Sequence, residues 1–277
     1  MRDYANAVAV ITGAGSGIGR ALALQLASEG AHVAISDFNQ DGLDETAQML
    51  EAFDVKVRAD YLDVTDKAAV FAYAQAINAH FGHVNLVINN AGAALAGDFA
   101  KSSMDDFKWQ MDVNFWGVAY GTKAFLPILE QAEWGHIVNI SSIFGIIANP
   151  GNSAYNASKF AVRGMTEALR IELDAAGSSV SCTCVHPGGV KTNIARTARM
   201  VNTNDPGAKT PDELADNFDK VARSTPEKAA KIILKAAAKN KRRVLVGGDA
   251  WLLDKIQRLM PTGYAGILAT IFNTDKA

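Results

Sequence analysis

The chain has 277 residues, of which 49% are hydrophobic and 20% charged, a composition typical of one ordinary globular domain. Lysine and arginine total 27 against 29 acidic residues, so the formal charge of -2 gives no reason to expect nucleic acid as a partner. The two cysteines, Cys182 and Cys184, are too few for a disulfide framework, and neither a signal-peptide pattern nor an apolar run of membrane-spanning length is visible, so we expect a reducing, cytoplasmic location.

Short runs rich in β-formers alternate with helical patterns along the chain. Seven strands are predicted, at residues 7–11, 32–36, 55–62, 85–90, 136–141, 180–185 and 243–247. The segments between them show helical spacing, as with Leu22 and Leu26 after the first strand. Strands that alternate with helices indicate right-handed crossovers and a parallel sheet covered on both faces. We therefore predict an α/β fold, a single Rossmann-type domain over residues 1–277 with a doubly wound, seven-stranded parallel sheet.

A glycine-rich turn, TGAGSGIG at residues 12–19, joins the first strand to the first helix. Glycines remove the Cβ atoms that would block a tight turn, and they let the backbone approach a pyrophosphate. The helix N-terminus that follows offers unpaired N–H groups to phosphates. A glycine-rich turn alone is a weak signal, but its place between strand and helix indicates a dinucleotide site. The residues assigned to this site are Gly13, Ser16, Gly17, Ile18 and Gly19.

The second strand ends near Asp37, eighteen residues after Gly19. An acid there can accept hydrogen bonds from both ribose hydroxyls of NAD, whereas the 2′-phosphate of NADP would meet like charge. No lysine or arginine lies within the glycine turn, so the sequence favours NAD as the cofactor. The alternative is that Asp37 only caps the next helix, although Asn39 or Asp41 could also do so.

Tyr155 and Lys159 stand four residues apart in YNASK, on one face of a predicted helix. Oxidising an alcohol requires removal of the hydroxyl proton as hydride leaves, and tyrosine with a pKa of about 10 is a poor base. The ammonium of Lys159 can stabilise the phenolate of Tyr155. Ser142, at the end of a strand, can hydrogen-bond the substrate oxygen as charge develops. Ser141 is the competing candidate, since neighbours on a strand point to opposite faces.

Six motifs stand in order along the chain: TGAGSGIG, NNAG at 89–92, Asn114, NISS at 139–142, YNASK at 155–159 and PGGVKT at 187–192. Together they resemble the short-chain dehydrogenase/reductase family, in the subgroup with TGxxxGIG and YxxxK motifs. The match runs from Val8 to about Thr192 and is far more specific than any single motif. The resemblance selects Ser142 rather than Ser141 as the residue beside the substrate.

The resemblance also implies roles for residues that spacing alone does not assign. Lys159 is implied to hold the nicotinamide ribose. Asn114, on a helix predicted from about Met104 to Leu129, is implied to hold a water in a proton relay to Lys159; it could instead be a polar packing residue. Asp63, with Val64 beside it, is similar to the acid that contacts the adenine amino group. The alternative for Asp63 is a local turn or cap ahead of the next helix.

Two further segments are assigned to the cofactor by the same resemblance. The NNAG turn is implied to lie beside the cofactor, and PGGVKT to line the nicotinamide, with Thr192 at its carboxamide. The residues assigned in these segments are Asn90, Ala91, Gly92, Pro187, Gly188, Val190 and Thr192. His80 and His83 are at helical spacing, but no third ligand is near them in sequence, so we expect no metal.

The segment from Thr192 to Pro226 breaks the alternation of strands and helices. It is polar and more than thirty residues long, a length usually kept for a lid or a binding loop. We predict a substrate lid over about 192–226; the alternative is a surface loop with its own small cluster. The apolar residues that could form the inner face of the lid are Ile194, Met200, Val201, Leu214, Phe218 and Val221.

An apolar C-terminal extension is predicted over about 249–277. Leu252, Ile256 and Leu259 are at helical spacing, and a second apolar segment lies beyond Pro261. The extension resembles those of family relatives that act on steroid, retinoid or other lipophilic alcohols. It could equally cover a subunit interface, and peripheral contact with a membrane is a third option.

These observations favour an NAD-dependent oxidoreductase that interconverts a secondary alcohol and a ketone, or an alcohol and an aldehyde, by hydride transfer. The main alternative is a catalytically silent NAD-binding redox sensor, which would tolerate loss of the tyrosine and the lysine. A nucleic-acid-binding Rossmann protein is a third interpretation, against which the lack of a large basic face argues. The family resemblance implies a homodimer or homotetramer, and the expected partner is a small-molecule alcohol or ketone.

Overall fold

The strands and helices come from a computed structural model that describes residues 3–201, 210, 212–213, 216, 219–220 and 222–266. The strands are β1 (Val8–Thr12), β2 (His32–Asp37), β3 (Val57–Tyr61), β4 (Leu86–Asn89), β5 (Leu95–Ala96), β6 (Gly135–Ile140), β7 (Val180–Pro187), β8 (Arg199–Met200) and β9 (Arg243–Val246). The α-helices are α1 (Gly17–Ser28), α2 (Gln40–Leu50), α3 (Lys67–Phe81), α4 (Met104–Met111), α5 (Gly117–Leu129), α6 (Ser153–Ala175), α7 (Pro226–Ala238) and α8 (Gly248–Leu259).

Seven strands form one sheet in the order β3-β2-β1-β4-β6-β7-β9, and every neighbouring pair is parallel. All seven are the strands that the sequence predicts, so the doubly wound α/β fold is confirmed. The strand order reverses direction at β1, which lies between β2 and β4. In open parallel sheets, ligands bind outside the carboxyl ends of the strands at this switch point. A ligand site is therefore expected at the end of β1.

The two faces of the sheet carry separate apolar clusters because side chains alternate along each strand. In β1, Ala9 and Ile11 pack on the side of α1 and α7, whereas Val8 and Val10 pack on the side of α3 and α5. All four side chains are fully buried. Burying one such valine or isoleucine stabilises the fold by about 1.5–3 kcal/mol, so the central strand is firmly anchored on both faces.

The helix predicted from about residue 104 to 129 is interrupted by a π-helical turn over Asp112–Trp116. Helix α4, its first part, begins with a capping box. The Ser103 side chain accepts from the N–H of Asp106, and the Asp106 carboxylate accepts from the N–H of Ser103. A π-turn inserts one extra residue and is frequently found at functional sites. Asn114 lies in the middle of it.

A second, two-stranded parallel sheet joins β5 to β8, with Leu95 opposite Arg199 and Ala96 opposite Met200. This sheet was not predicted. It attaches the start of the predicted lid to the chain just after the NNAG turn. Three apolar residues of the predicted lid lie outside the described residues: Leu214, Phe218 and Val221.

The C-terminal helix α8 packs through a different face from the one that the sequence suggests. Ala250 and Leu253 pack in a cluster with Ile143, Ile146 and Ile147. Leu252 and Leu259, two members of the predicted apolar stripe, are 53% and 81% exposed. Most of the second apolar segment, from residue 267 onward, lies outside the described residues. None of the helices in the described ranges is long and apolar enough to cross a membrane.

Candidate active site

The glycine turn and the NNAG turn are tied together at the carboxyl ends of β1 and β4. The amide of Asn90 donates to the carbonyls of Thr12 and Gly13, at 2.9 and 3.0 Å. The Thr12 hydroxyl accepts from the N–H groups of Asn90 and Ala91, both at 3.1 Å. Four hydrogen bonds therefore hold the two turns as one rigid unit. Thr12, which the sequence analysis did not single out, is central to it.

The glycine turn is too tight for side chains. A Cβ on Gly19 would lie 2.0 Å from the carbonyl oxygen of Gly13, and a Cβ on Gly13 would lie 2.7 Å from the Cα of Ala91. Gly13 and Gly17 have φ of +67° and +52°, a region that favours glycine. The Ser16 side chain makes no capping bond to α1, and no acid lies in the first helical turn. The arrangement fits an anion such as pyrophosphate at the helix N-terminus.

Asp37 lies at the end of β2, directly beside the glycine turn. Its Oδ2 accepts from the N–H of Gly15 and its Oδ1 from the N–H of Asn39, both at 2.8 Å. Helix α2 is capped by Asn39, whose side chain accepts from the N–H of Gly42. The interpretation of Asp37 as that cap is therefore wrong. Its carboxylate is held at the turn instead.

Two residues behind the turn, Arg20 and Thr46, were missed by the sequence analysis. The guanidinium of Arg20 donates to the carbonyl of Gly15 at 2.5 Å and forms an ion pair with Glu45 at 2.6 Å. Thr46 donates to the carbonyl of Ala14 and accepts from Arg20, both at 2.9 Å. These bonds fix the carbonyls of Ala14 and Gly15 in the turn. Ile18 packs against the adjacent apolar cluster.

Asp63 follows β3 and forms a local turn in this structure. Its Oδ1 accepts from the N–H and the hydroxyl of Thr65, at 2.9 and 2.7 Å. The cap of α3 is Asp66, which accepts from the N–H of Ala69. Val64 packs against Gly117, where an added Cβ would lie 2.8 Å from its Cγ2. The local-turn alternative thus describes Asp63 here, and its contact with adenine stays a prediction.

Tyr155 and Lys159 lie on the first turns of α6 and face the end of β6. The Nζ of Lys159 is 5.7 Å from the centre of the Tyr155 ring and donates to the carbonyl of Ile140 at 3.1 Å. The Ser142 hydroxyl lies close enough to the Tyr155 phenol to lower its pKa. The Ser141 hydroxyl points the other way and donates to the carbonyl of Lys159 at 2.8 Å. Ser142, and not Ser141, therefore stands beside the phenol.

Burial acts on both titrating groups of this cluster. It raises the pKa of Tyr155 above its usual value, and the nearby Ser142 hydroxyl only partly opposes this. Burial also lowers the pKa of Lys159 to about 8. At neutral pH the phenol is therefore protonated and the lysine is still mostly a cation. A second positive charge near the phenol would be needed to favour phenolate.

Asn114 is fully buried within the π-turn and hydrogen-bonds the backbone that follows the NNAG motif. Its Oδ1 accepts from the N–H of Ala93 at 2.9 Å, and its Nδ2 donates to the Ala93 carbonyl at 3.0 Å and to the Ser158 hydroxyl at 3.2 Å. A Cβ on Gly92 would lie 3.2 Å from the Oδ1 of Asn114 and 3.5 Å from the Nζ of Lys159. Because Gly92 has no side chain, the space near the ends of the Asn114 and Lys159 side chains stays free.

The PGGVKT segment runs from the end of β7 toward the glycine turn. Pro187 is the last residue of β7, and Val190 is buried. Thr192 reaches the glycine turn, because a Cβ on Gly17 would lie 3.0 Å from its Cγ2. The structure thus brings this segment to the same edge of the sheet as Tyr155. The described residues contain no group of three histidine, cysteine or acidic side chains that could hold a metal.

His186, also missed by the sequence analysis, contacts the backbone of Ser142. It is fully buried, and its Nδ1 lies 2.9 Å from the carbonyl oxygen of Ser142. Burial lowers its pKa to about 4, so the imidazole is neutral at physiological pH. A neutral ring must carry its proton on Nδ1 to donate to that carbonyl. His186 therefore fixes the backbone from which the Ser142 hydroxyl projects.

Replacing Lys159 by methionine is expected to stabilise the fold at pH 7. The pKa of Lys159 falls from its model-peptide value of 10.5 to about 8, so folding disfavours the ammonium by an amount on the order of 3 kcal/mol. Since the unfolded chain binds the extra proton between these values, wild-type stability should rise with pH from about 8 to 10.5 through this group. The variant should lack that rise. Urea unfolding of both proteins at pH 7 and pH 10 measures it.

Lys123→Met is the matched control, because Lys123 is exposed on α5. It should change the free energy of unfolding by no more than about 0.5 kcal/mol at either pH. A Lys159→Met protein that is less stable than wild type at pH 7 would contradict a buried, disfavoured ammonium.

Comparisons with known proteins show which family the chain is similar to. Residues 7–202 match the family model described as short chain dehydrogenase. The chain is 50% identical over 270 residues to a Mycobacterium tuberculosis (strain H37Rv) protein named as an oxidoreductase, SadH, covering 97% of this chain and 96% of that one. A short-chain dehydrogenase/reductase from Burkholderia phymatum, solved in complex with NAD, is 35% identical with a TM-score of 0.84, covering 94% and 95% of the two chains. Levodione reductase is 27% identical with a TM-score of 0.77, covering 89% and 98%.

Proposed function

The chain belongs to the short-chain dehydrogenase/reductase family, and on that basis we propose that it is an NAD-dependent oxidoreductase acting on an alcohol or its carbonyl counterpart. The observation that carries the proposal is the meeting of Ser142, Tyr155 and Lys159 at the same sheet edge as the glycine turn. The substrate is a secondary alcohol and its ketone, or a primary alcohol and its aldehyde. The similarity to levodione reductase supports a carbonyl compound.

The residues at this edge fit a dinucleotide. The glycine turn and the N-terminus of α1 would hold the pyrophosphate, Asp37 the adenine ribose, and Asp63 with Val64 the adenine. The nicotinamide half would be held by Asn90, Ala91, Gly92, Tyr155, Lys159, Pro187, Gly188, Val190 and Thr192. When bound, NAD accepts hydride and brings the positive charge of its oxidised ring. The similarity to a family member solved in complex with NAD supports this assignment.

Tyr155 is assigned as the acid and base. In oxidation its phenolate oxygen takes the hydroxyl proton of the alcohol, as the carbon gives up hydride; in reduction the phenol returns that proton to the carbonyl oxygen. Lys159 stabilises the phenolate through its ammonium, and Ser142 donates a hydrogen bond to the substrate oxygen. Asn114 is assigned to hold a water between Lys159 and solvent.

A lipophilic substrate is supported by the residues that follow Ser142. Ile143, Ile146 and Ile147 are buried, and Phe144 stacks edge-on against Tyr155 with 6.4 Å between ring centres. Tyr264, in the C-terminal extension, accepts a hydrogen bond from the N–H of Ala148 at 3.2 Å. We assign this apolar wall to the substrate side of the site. An apolar wall favours an alcohol with a large apolar body.

Residues 192–226 are proposed to cover the substrate. Pairing of β5 with β8 supports this, because it docks the start of the segment next to the NNAG turn. Arg199 strengthens the docking through an ion pair with Asp106 at 2.8 Å and by lying over the Trp109 ring.

We propose a cytoplasmic homodimer or homotetramer that packs through α5 and α6. Large apolar side chains exposed on these helices support an interface there: Trp116, at the junction with α5, and Phe160 and Ile171 on α6. A contiguous exposed apolar patch on these helices would mark an association surface.

An NAD reduction screen over steroids, retinoids, aliphatic alcohols, sugars and hydroxyacyl compounds tests the function. We expect NADH formation with at least one secondary alcohol and a higher kcat/KM for apolar alcohols than for sugars. Cofactor binding without turnover on the whole panel would instead identify a redox sensor. Short polar alcohols or sugars that outperform steroids and long-chain alcohols would overturn the lipophilic substrate and leave the reaction class standing.

A further inference from the structure

Asp249, in the first turn of α8, inserts its carboxylate between two glycine-containing turns. Its Oδ2 accepts from the N–H of Gly189 at 2.6 Å. A Cβ on Gly188 would lie 2.2 Å from this carboxylate, and a Cβ on Gly247 would lie 2.3 Å from it. A side chain at either glycine would displace the carboxylate. The two glycines and the aspartate thus form one interlocking contact between the end of β7 and the start of α8.

The backbone from Gly188 to Lys191 is held by three parts of the fold. The N–H of Gly188 donates to the carbonyl of Val246 in β9 at 2.9 Å. Ser224 donates to the carbonyl of Gly189 and accepts from the N–H of Lys191, at 3.2 and 2.9 Å. The remaining bond is the one to Asp249, the only one of the four made by a side chain. It can therefore be removed by substitution while the main-chain bonds stay possible.

We propose that Asp249 is a positioning residue for the nicotinamide half of the cofactor site. The inference rests on the proposed function, which assigns Pro187, Gly188 and Val190 to the nicotinamide. Two consecutive glycines, Gly188 and Gly189, have no side chains to hold their backbone, and glycine loses more conformational freedom on ordering than other residues. A carboxylate that binds the N–H of Gly189 orders them before the cofactor arrives, so that less of the binding free energy is lost to ordering.

The adenine half of the site is held by other contacts. Asp37 is fixed by the N–H groups of Gly15 and Asn39, and the glycine turn is tied to Asn90. None of these contacts involves α8. Asp249 should therefore act on the affinity for NADH but not on the affinity for ADP-ribose, which has the adenine half and lacks the nicotinamide ring.

The test compares NADH and ADP-ribose binding by titration calorimetry in wild type and three variants. Asp249→Ala is expected to raise the Kd for NADH roughly tenfold and to leave the Kd for ADP-ribose within about twofold. Asp249→Asn should stay close to wild type for both ligands, because its amide oxygen can still accept from Gly189. Leu252→Ala, on the exposed side of the same helix, is the matched control and should change neither Kd.

Gly188→Ala provides a second variant should Asp249→Ala fail to fold. Its Cβ would displace the carboxylate, so it should show the same selective loss of NADH affinity. The inference is overturned when Asp249→Ala changes neither Kd, or when it raises both by the same factor. Wild-type protein that binds neither ligand would contradict the proposed function itself. Failure of the proposed function can thus be told apart from failure of the inference about Asp249.

Discussion

Replacing Tyr155 by phenylalanine is expected to lower kcat at least about a hundredfold while the Kd for NADH stays within about twofold of wild type. Phenylalanine keeps the ring that packs edge-on against Phe144 and loses only the phenol oxygen beside Ser142. Affinity for the cofactor should survive because the substitution removes only one oxygen, and Lys159 with the other residues assigned to the nicotinamide half stays in place. Initial rates of NADH formation and a fluorescence titration with NADH measure the two quantities.

Tyr120→Phe is the matched control for this variant. Tyr120 is a partly buried tyrosine on α5 that stacks on Trp116, so it loses the same oxygen at a place outside the site. Its kcat should stay within about twofold of wild type. A Tyr155→Phe enzyme that keeps more than about a tenth of wild-type activity would remove Tyr155 as the base.

The fold could be predicted from the sequence because its signal is local. Each of the seven strands is a short apolar run, and the helices between them repeat with helical spacing. The two-residue strands β5 and β8 are too short to show any periodicity, and they pair over a separation of about a hundred residues. The sequence pattern did not predict the π-turn at Asn114 either. Asn114 holds the backbone of Ala93 there with both atoms of its amide, a tertiary contact that helical spacing does not encode.

The candidate site was predictable where a motif carries the chemistry, as with Tyr155 and Lys159. Alternation along the strand also correctly requires Ser141 and Ser142 to face different ways, although it does not say which faces the phenol. His186 and Asp249 were missed because neither belongs to a motif with a known role. Asp249 meets Gly189 across sixty residues of chain, and only the fold brings the two together.

The C-terminal helix shows how tertiary contacts override a sequence pattern. Leu252 and Leu259 are at helical spacing, yet the helix turns them to solvent. Polar contacts with the rest of the fold help to set the rotation of this helix. Asp249 binds the N–H of Gly189, and the buried carboxylate of Asp254 pairs with Arg258 at 2.8 Å and lies 3.8 Å from Arg243. Satisfying a buried charge outweighs burying one more leucine, since an unpaired buried carboxylate costs several kcal/mol.

Wild-type protein is expected to prefer NAD over NADP by at least about a hundredfold in kcat/KM, or roughly 2.7 kcal/mol. The Asp37 carboxylate is fixed at the glycine turn by the N–H groups of Gly15 and Asn39, so it cannot swing away from a 2′-phosphate. Arg20, the cation nearest the turn in sequence, is already paired with Glu45 and bonded to the Gly15 carbonyl. The fixed carboxylate would therefore repel a 2′-phosphate, and Arg20 is already bonded to other groups.

Asp37→Ala should shrink this preference by at least about tenfold, because it removes the acceptor for the ribose hydroxyls and the like charge that repels the phosphate. The effect should appear as a higher KM for NAD together with a lower KM for NADP, measured with one alcohol held at saturation. Asp41→Ala is the matched control, since Asp41 is an exposed acid in the first turn of α2. An effect of net charge alone would change both variants equally, whereas a ribose contact should change only Asp37→Ala. A wild-type enzyme that uses NADP as readily as NAD would show that the carboxylate at the end of β2 does not select the cofactor.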